Sequence, residues 1–373
     1  MGMDITKMPK LGFGLMRLPE KDGKIDMEQV CEMVDAYMES GMNYFDTAYV
    51  YHSGLSECVV KDAIVARYPR ESFTVATKLP GWMLKCQEDV ERIFNEQLER
   101  SGAGYFDYYL LHSLEEGQNY ENMEKYDCFR WGMEKKAQGL IRHLGFSFHG
   151  TPALLEEILD KHPEVEFVQI QLNYLDWKNP VIQSGTLYEI LRKRNIPMII
   201  MEPVKGGTLA ALEPMIEKLF QDYAPEASAA SWALRFVGSL EGVATILSGM
   251  SNREQMQDNI DTFRDFKPLN EEEKAIINKA VATILDMDQI ACTSCRYCCD
   301  GCPAQIKIPD VFRALNTARL YPKDDRQYSY YAKTTKDAGK AKDCVACGQC
   351  EGVCPQHLPI IELMKEAAGV FDK

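Results

Sequence analysis

The sequence contains no run of about 18 apolar residues, so no segment is expected to cross a membrane as a helix. No cleavable apolar segment is visible at its start. With an odd total of 13 cysteines, this points to a reduced compartment and not to a secreted, disulfide-built protein. Basic charge is in deficit, with 42 Lys and Arg against 56 Asp and Glu and a formal net charge of −14. Such a body repels phosphate backbones, which argues against a nucleic-acid partner. No Gly-x-Gly-x-x-Gly follows the first predicted strand, so a Rossmann domain has no support. Neither coiled-coil heptads nor a flavin motif is visible.

The charge deficit and the cysteines sit in different places. Residues 286–373 carry 12 acidic and 12 basic side chains, which leaves 44 acidic and 30 basic in residues 1–285. Those last 88 residues hold nine of the cysteines, eight of them in two runs of one spacing: Cys292-x2-Cys295-x2-Cys298-x3-Cys302-Pro303 and Cys344-x2-Cys347-x2-Cys350-x3-Cys354-Pro355. Three thiolates on a tight loop can take three corners of an iron–sulfur cube, while the fourth, followed by proline, reaches the other cube. The expectation is two [4Fe–4S] clusters with crossed ligation, one held by Cys292, Cys295, Cys298 and Cys354, the other by Cys344, Cys347, Cys350 and Cys302. Structural zinc leaves the third cysteine of each run without a role. Cys299 is either a spare thiol or a shift in the register of the first run. Lys333, Lys336, Lys340 and Lys342 read as a solvated loop, with a docking patch for an acidic redox partner as the alternative.

Before the cysteine runs, short apolar segments alternate with longer ones of helical period. The apolar segments are Leu11–Met16, Asn43–Asp46, Phe73–Lys78, Asp107–His112, His143–Ser147, Phe167–Asn173, Pro197–Glu202 and Val243–Ser248. Segments such as Met27–Ser40, Gln87–Ser101, Pro152–Lys161 and Glu226–Val237 carry apolar residues at steps of three and four. Eight strands with eight crossovers predict an α/β (β/α)8 TIM barrel over residues 1–285, closing after a helix at Glu271–Leu285, and a small, mainly helical ferredoxin-like domain over 286–373. Asp46, Lys78, His112, Ser147, Asn173, Glu202 and Ser248 end their runs. In such a barrel the carboxyl ends of the strands form one rim, so these seven describe a lined pocket.

Asp46-Thr47-Ala48-Tyr49-Val50-Tyr51, with Lys78 and His112 ending the next two strands, resembles an aldo-keto reductase. Gly12-Phe13-Gly14-Leu15-Met16-Arg17, Leu144-Gly145-Phe146-Ser147, Gln169 and the stretch from Gln255 to Asn259 fit in order. The cysteine module, with Cys295-Arg296-Tyr297-Cys298, resembles the ferredoxin-type extension of an anaerobic branch of that family. Reducing a carbonyl by hydride needs an acid for the developing alkoxide, and a tyrosine near pKa 10 needs a neighbouring cation to serve. Lys78 can be that cation, Asp46 its anchor and His112 a donor that orients the carbonyl. The resemblance implies Tyr51 as proton donor and NADPH or NADH as cofactor. It also implies that Ser147 and Gln169 hold the nicotinamide carboxamide, and that Gly14, Met16, Glu202, Pro203, Gly206, Gly249, Met250, Ser251, Gln255 and Asn259 line the rest.

The sequence departs from the family's pattern at three places. His52 follows Tyr51 where glycine is common, adding a titratable group. Phe148 stands where many members have asparagine. At the adenosine end only Arg253 is left to recognise a 2′-phosphate, so cofactor preference stays open. Trp82 either walls the pocket or packs, and His149 is within reach of the site. His143, His162 and His357 read as structural or surface residues, and Cys31, Cys58, Cys86 and Cys128 as buried small hydrophobes.

The expected function is NAD(P)H-dependent reduction of a small-molecule carbonyl in the cytoplasm of an anaerobe or facultative organism, with aldehydes, ketones, quinones and sugars all open. The alternative is an electron-transfer or redox-sensing iron–sulfur protein in which the barrel is a docking platform or relays single electrons to a partner such as a ferredoxin or flavoprotein.

Overall fold

The computed structural model describes residues 8–179, 182–286, 289–320 and 326–372. They form two compact units, one running to Val204 and resuming over Ala227–Asn270, the other comprising Lys205–Glu226 and the chain from Glu271 onward.

The first unit contains a closed barrel of eight parallel strands. They are β1 Leu11–Gly14, β2 Tyr44–Asp46, β3 Thr74–Pro80, β4 Phe106–Leu114, β5 Ile141–Phe148, β6 Phe167–Gln171, β7 Met198–Met201 and β8 Val243–Ser248. Each strand pairs with its neighbours in sequence, and β1 closes on β8. All eight coincide with the expected apolar runs. The ends differ by up to two residues, because β3 and β4 continue past Lys78 and His112 while β6 and β7 stop before Asn173 and Glu202. A two-residue hairpin, Glu20–Lys21 with Lys24–Ile25, is an addition that the apolar pattern did not signal, both of its strands being polar and exposed or half-buried.

Register explains how the site residues converge. Asp46 lies opposite Ala76, and Lys78 is two residues further along β3. Lys78 lies opposite Leu110, and His112 is two further along β4. Leu110 lies opposite Gly145, with Ser147 two further on and directly opposite Gln169. Because side chains alternate with period two, all five point to one face, the barrel interior. Below them the interior is plugged by Tyr44, Ala76, Tyr108, Leu110, Phe167, Ile199 and Leu247. Gly12 is part of that plug: a Cβ on it would stand 2.8 Å from Leu247 and 3.1 Å from Tyr44. The opposite faces, among them Phe13, Phe45, Val75, Tyr109, Phe146 and Val168, pack under the helices.

The helices begin where their caps dictate. Asp26 accepts from Gln29 N ahead of Met27–Glu39, and Asn252 from Gln255 N ahead of Arg253–Arg264. Thr151 caps Pro152–Lys161, with proline at the first helical position. Cys128 is buried and Cys31 and Cys58 half-buried, but Cys86 is exposed, contrary to expectation. It precedes the helix Glu88–Ser101 in a polar turn whose backbone is held by Asp89.

The second unit is mainly helical, as expected. Ile308–Leu320, Arg326–Thr334 and Ile360–Phe371 surround a small core of Ile306, Val311, Phe312, Leu315, Tyr331, Ile360 and Met364. Its two cysteine runs are backbone repeats. Ser294, Arg296 and Gln305 of the first and Ala346, Gly348 and His357 of the second take left-handed φ at equivalent positions. Each run also carries a four-residue helix, Tyr297–Asp300 and Gln349–Gly352. The helix Glu271–Leu285 and the segment 205–226 group with this unit. No helix among the described residues is long and apolar enough to cross a membrane.

Candidate active site and cysteine-lined hollows

At the carboxyl ends of β2 to β4 lies a buried ion pair. Lys78 Nζ donates to Asp46 Oδ1 at 2.5 Å and to the carbonyl oxygen of Thr47 at 2.7 Å, and both charged side chains are almost fully enclosed. Burial pushes the Lys78 ammonium down and the Asp46 carboxyl up from their ordinary values, while each opposes the shift of the other. The Lys78 ammonium lies 4.8 Å from the centre of the Tyr51 ring, and that ring meets His112 edge-on at 6.1 Å. Trp82 leans over His112 at 5.1 Å and is 44 % exposed, so it walls this pocket.

Burial holds the Tyr51 phenol well above its ordinary value, reinforced by Asp46 and Glu202 and opposed by Arg17. Tyr51 is therefore fully protonated in the ligand-free site. Burial likewise drives His112 well below its ordinary value, aided by the Lys78 charge, so its ring is neutral, and its Nδ1 has no partner.

The loop after Tyr51 carries three successive left-handed residues, His52, Ser53 and Gly54. His52 Nε2 accepts from Leu18 N at 3.3 Å, and its Nδ1 lies 3.5 Å from Glu20; burial lowers its pKa, so it fastens the hairpin loop. Behind the ion pair, fully buried Glu57 accepts from Thr77 Oγ1 at 2.7 Å and Gln97 Nε2 at 2.9 Å, and Gln97 also donates to Lys78 O at 3.0 Å. No pattern along the chain marks this support, since a glutamate on a short helical segment reads as surface.

The expected cofactor residues divide. Ser147 Oγ accepts from Ser113 N at 2.7 Å, and beside it the buried Gln169 Oε1 has no partner. Asn259 donates to Ser248 Oγ at 2.8 Å, and Gln255 Oε1 accepts from Ser251 N at 2.8 Å. Gly14 is flush with the Ser248 carbonyl and Gly249 with the Arg17 side chain. Pro203 and Met250 are buried, Met250 within the barrel core, while Met16 is half-buried. Asn173 donates to Asp176 and to the Glu202 carbonyl, tying two loops together. Gly206 falls in the second unit. Arg253 is paired on the surface with Glu32 at 2.5 Å. Phe148 is buried against Phe146. His143 pairs with Glu166 and His162 with Glu164, both structural as expected.

The second unit holds two hollows. One is lined by Cys292, Cys295, Cys298 and Cys354; the other by Cys302, Cys344, Cys347 and Cys350. The two sets are those of the crossed arrangement, and Cys299 lines neither. The thiols surround spaces instead of meeting at a point, and among the described residues no three His, Cys, Asp or Glu side chains are placed to hold a single metal ion. Backbone N–H groups of Ser294 and Ile306 point at the sulfurs of Cys292 and Cys302 at 3.4 and 3.5 Å. Burial pushes the Cys350 thiol up to about 11, a cost that a bound metal ion would offset. Lys333, Lys336, Lys340 and Lys342 are exposed.

Comparison with known proteins agrees with this geometry. A model of the aldo/keto reductase family matches residues 10–282. The chain belongs to the aldo/keto reductase family. Residues 291–359 match a 4Fe-4S dicluster domain, which makes this an aldo/keto reductase carrying an iron–sulfur module. An uncharacterized oxidoreductase of Bacillus subtilis is 26 % identical, over 74 % of this chain and 94 % of its own. The L-galactose dehydrogenase of Arabidopsis thaliana is 23 % identical, over 72 % and 89 %. Among solved structures, the holo form of an aldo-keto reductase from Bacillus halodurans superposes with a TM-score of 0.59 at 24 % identity, covering 73 % of this chain and 91 % of its own. One from Klebsiella pneumoniae, solved with NADP and acetate, gives 0.57 at 20 %, covering 73 % of this chain and 91 % of its own. These two likenesses carry the fold.

Proposed function

We propose that the protein reduces the carbonyl group of a small molecule with NADPH or NADH, with Tyr51 as proton donor and Asp46, Lys78 and His112 as its catalytic partners. The observation that carries this reading is the enclosed Lys78–Asp46 pair beside a protonated Tyr51 and a neutral His112. A reduced nicotinamide, when bound, supplies hydride to the carbonyl carbon. Tyr51 gives its phenolic proton to the carbonyl oxygen as charge develops there. The tyrosinate left behind is stabilised by the Lys78 ammonium, which Asp46 and the Thr47 carbonyl hold in place. Neutral His112 directs a ring N–H at the same oxygen, and Trp82 shields it from water.

The nicotinamide fits what the chain offers. The partnerless, buried Gln169 Oε1 beside Ser147 suits the N–H of a carboxamide. We assign Gly14, Met16, Glu202, Pro203, Gly206, Gly249, Met250, Ser251, Gln255 and Asn259 to the rest of the cofactor, as the family likeness suggests.

In the second unit we assign one [4Fe–4S] cluster to Cys292, Cys295, Cys298 and Cys354 and another to Cys302, Cys344, Cys347 and Cys350, with functional domains at residues 1–285 and 286–373. A cytoplasmic, oxygen-poor setting follows from that chemistry. Exposure of Cys347 together with Val345, 66 % exposed, favours a second role, exchange of single electrons with a partner protein at the second cluster.

The test uses protein purified without oxygen, NADPH or NADH, and a panel of carbonyl compounds, following nicotinamide and cluster absorbance together. Oxidation of nicotinamide with unchanged clusters supports reduction at the barrel. Bleaching of the clusters with carbonyls untouched would overturn it.

A further inference from the structure

Four residues past β7, the chain enters the second unit through Lys205 and Gly206, both with left-handed backbone, φ 47° and 63°. Gly206 has to be glycine, because a Cβ on it would stand 1.8 Å from the carbonyl oxygen of Thr293. Thr293 follows Cys292 and lines the same hollow. Lys205 is 1 % exposed, and its Nζ donates to Gln356 Oε1 at 2.9 Å. Gln356 comes two residues after Cys354 and lines that hollow as well. Two adjacent residues of one loop thus back two wall residues of the first hollow.

The second hollow is built differently. Its wall beyond the cysteines is almost entirely apolar and contains no lysine or arginine. Arg296, which lines the first hollow, is 53 % exposed, so water screens its charge. Lys205 is the enclosed one.

Resting on the two-cluster assignment above, we propose that Lys205 is a positioning residue for the cluster of Cys292, Cys295, Cys298 and Cys354, raising its reduction potential and fixing the Gln356 amide in its wall. Taking up one electron from an external donor adds one negative charge to the cluster and its four thiolates, with no bond made or broken. A cation held nearby, out of water, stabilises the reduced form more than the oxidised one. Donation by the ammonium also decides which end of the Gln356 amide faces Lys205, and outer groups of this kind tune the metal centre they surround.

The experiment is a potentiometric titration of the holoprotein with dithionite under argon, followed by electron paramagnetic resonance, on the wild type, Lys205→Met and Lys205→Arg. The expected result is that Lys205→Met makes one of the two clusters about tenfold harder to reduce, a fall of about 59 mV for one electron, and leaves the other in place. Lys205→Arg keeps the wild-type pair. Unchanged midpoints in Lys205→Met, or an equal shift of both, would overturn the proposal. Should that variant not assemble, Gln356→Leu keeps the charge and removes the hydrogen bond; the same wave should fall by a smaller amount, and no change would count against the proposal. Iron and sulfide in the wild type amounting to fewer than two clusters would instead remove the two-cluster assignment itself.

Discussion

The barrel and the cysteine-bearing unit both gather polar side chains in enclosed spaces, but they hold them by opposite means. In the barrel, strand register delivers Asp46, Lys78, His112, Ser147 and Gln169 to one face, and the charges there are already paired. In the second unit the eight thiols ring two hollows, and burial resists their ionisation at Cys292 and Cys350. The first arrangement is finished by folding alone, whereas the second is completed by the group it binds.

The sharpest way to separate the two is Tyr51→Phe. It should lower carbonyl reduction by about 10²–10⁴-fold, the range for a general acid, and leave the cluster absorbance unchanged. A variant as active as the wild type would place the chemistry elsewhere. Removing iron with a chelator should do the reverse, melting the second unit while the barrel keeps its own cooperative thermal transition. A single transition at an unchanged temperature, seen by calorimetry before and after chelation, would erase the contrast.

Lys78→Met probes how far the barrel site is prearranged. It leaves the Asp46 carboxyl enclosed without its cation, which should cost about 3–5 kcal/mol in urea unfolding, and adding Asp46→Leu should recover most of that. His112 gives a smaller, pH-dependent signal. Its folded pKa is depressed, so below pH 6.5 the unfolded chain takes up a proton that the folded one refuses. Stability should therefore fall as pH drops through 6.5, with a slope approaching about 1.4 kcal/mol per unit from this residue, and His112→Asn should remove that component. The smallest effect is expected on the surface. Releasing Arg253 by Glu32→Gln should shift preference toward NADPH by a few-fold, measured as the ratio of KM values, since exposed pairs are worth under about 1 kcal/mol.

Much of this was legible in the residues. Eight apolar runs announced eight strands, and Val243–Ser248 and Pro152–Lys161 have the observed bounds. Cysteines of both repeated runs line each hollow, because the step of a ligand loop is local and written in the chain. The hairpin at residues 20–25 was missed for want of apolar alternation, and Glu57 and Gln97 because nothing along the chain marks a polar side chain as buried. Residue spacing leaves Trp82 and Cys299 undecided; geometry puts the first over His112 and leaves the second out of the lining of both hollows.

The sequence by itself determined the strand count, the order of Asp46, Lys78 and His112 on successive strands, and the repeated thiol loops, all set by short-range period and spacing. Only the tertiary structure decided that Tyr51 keeps its proton, that His112 is neutral, and that Lys205 and Gly206 back the first hollow. Those depend on desolvation and on approaches between residues distant in the chain, which no local pattern records.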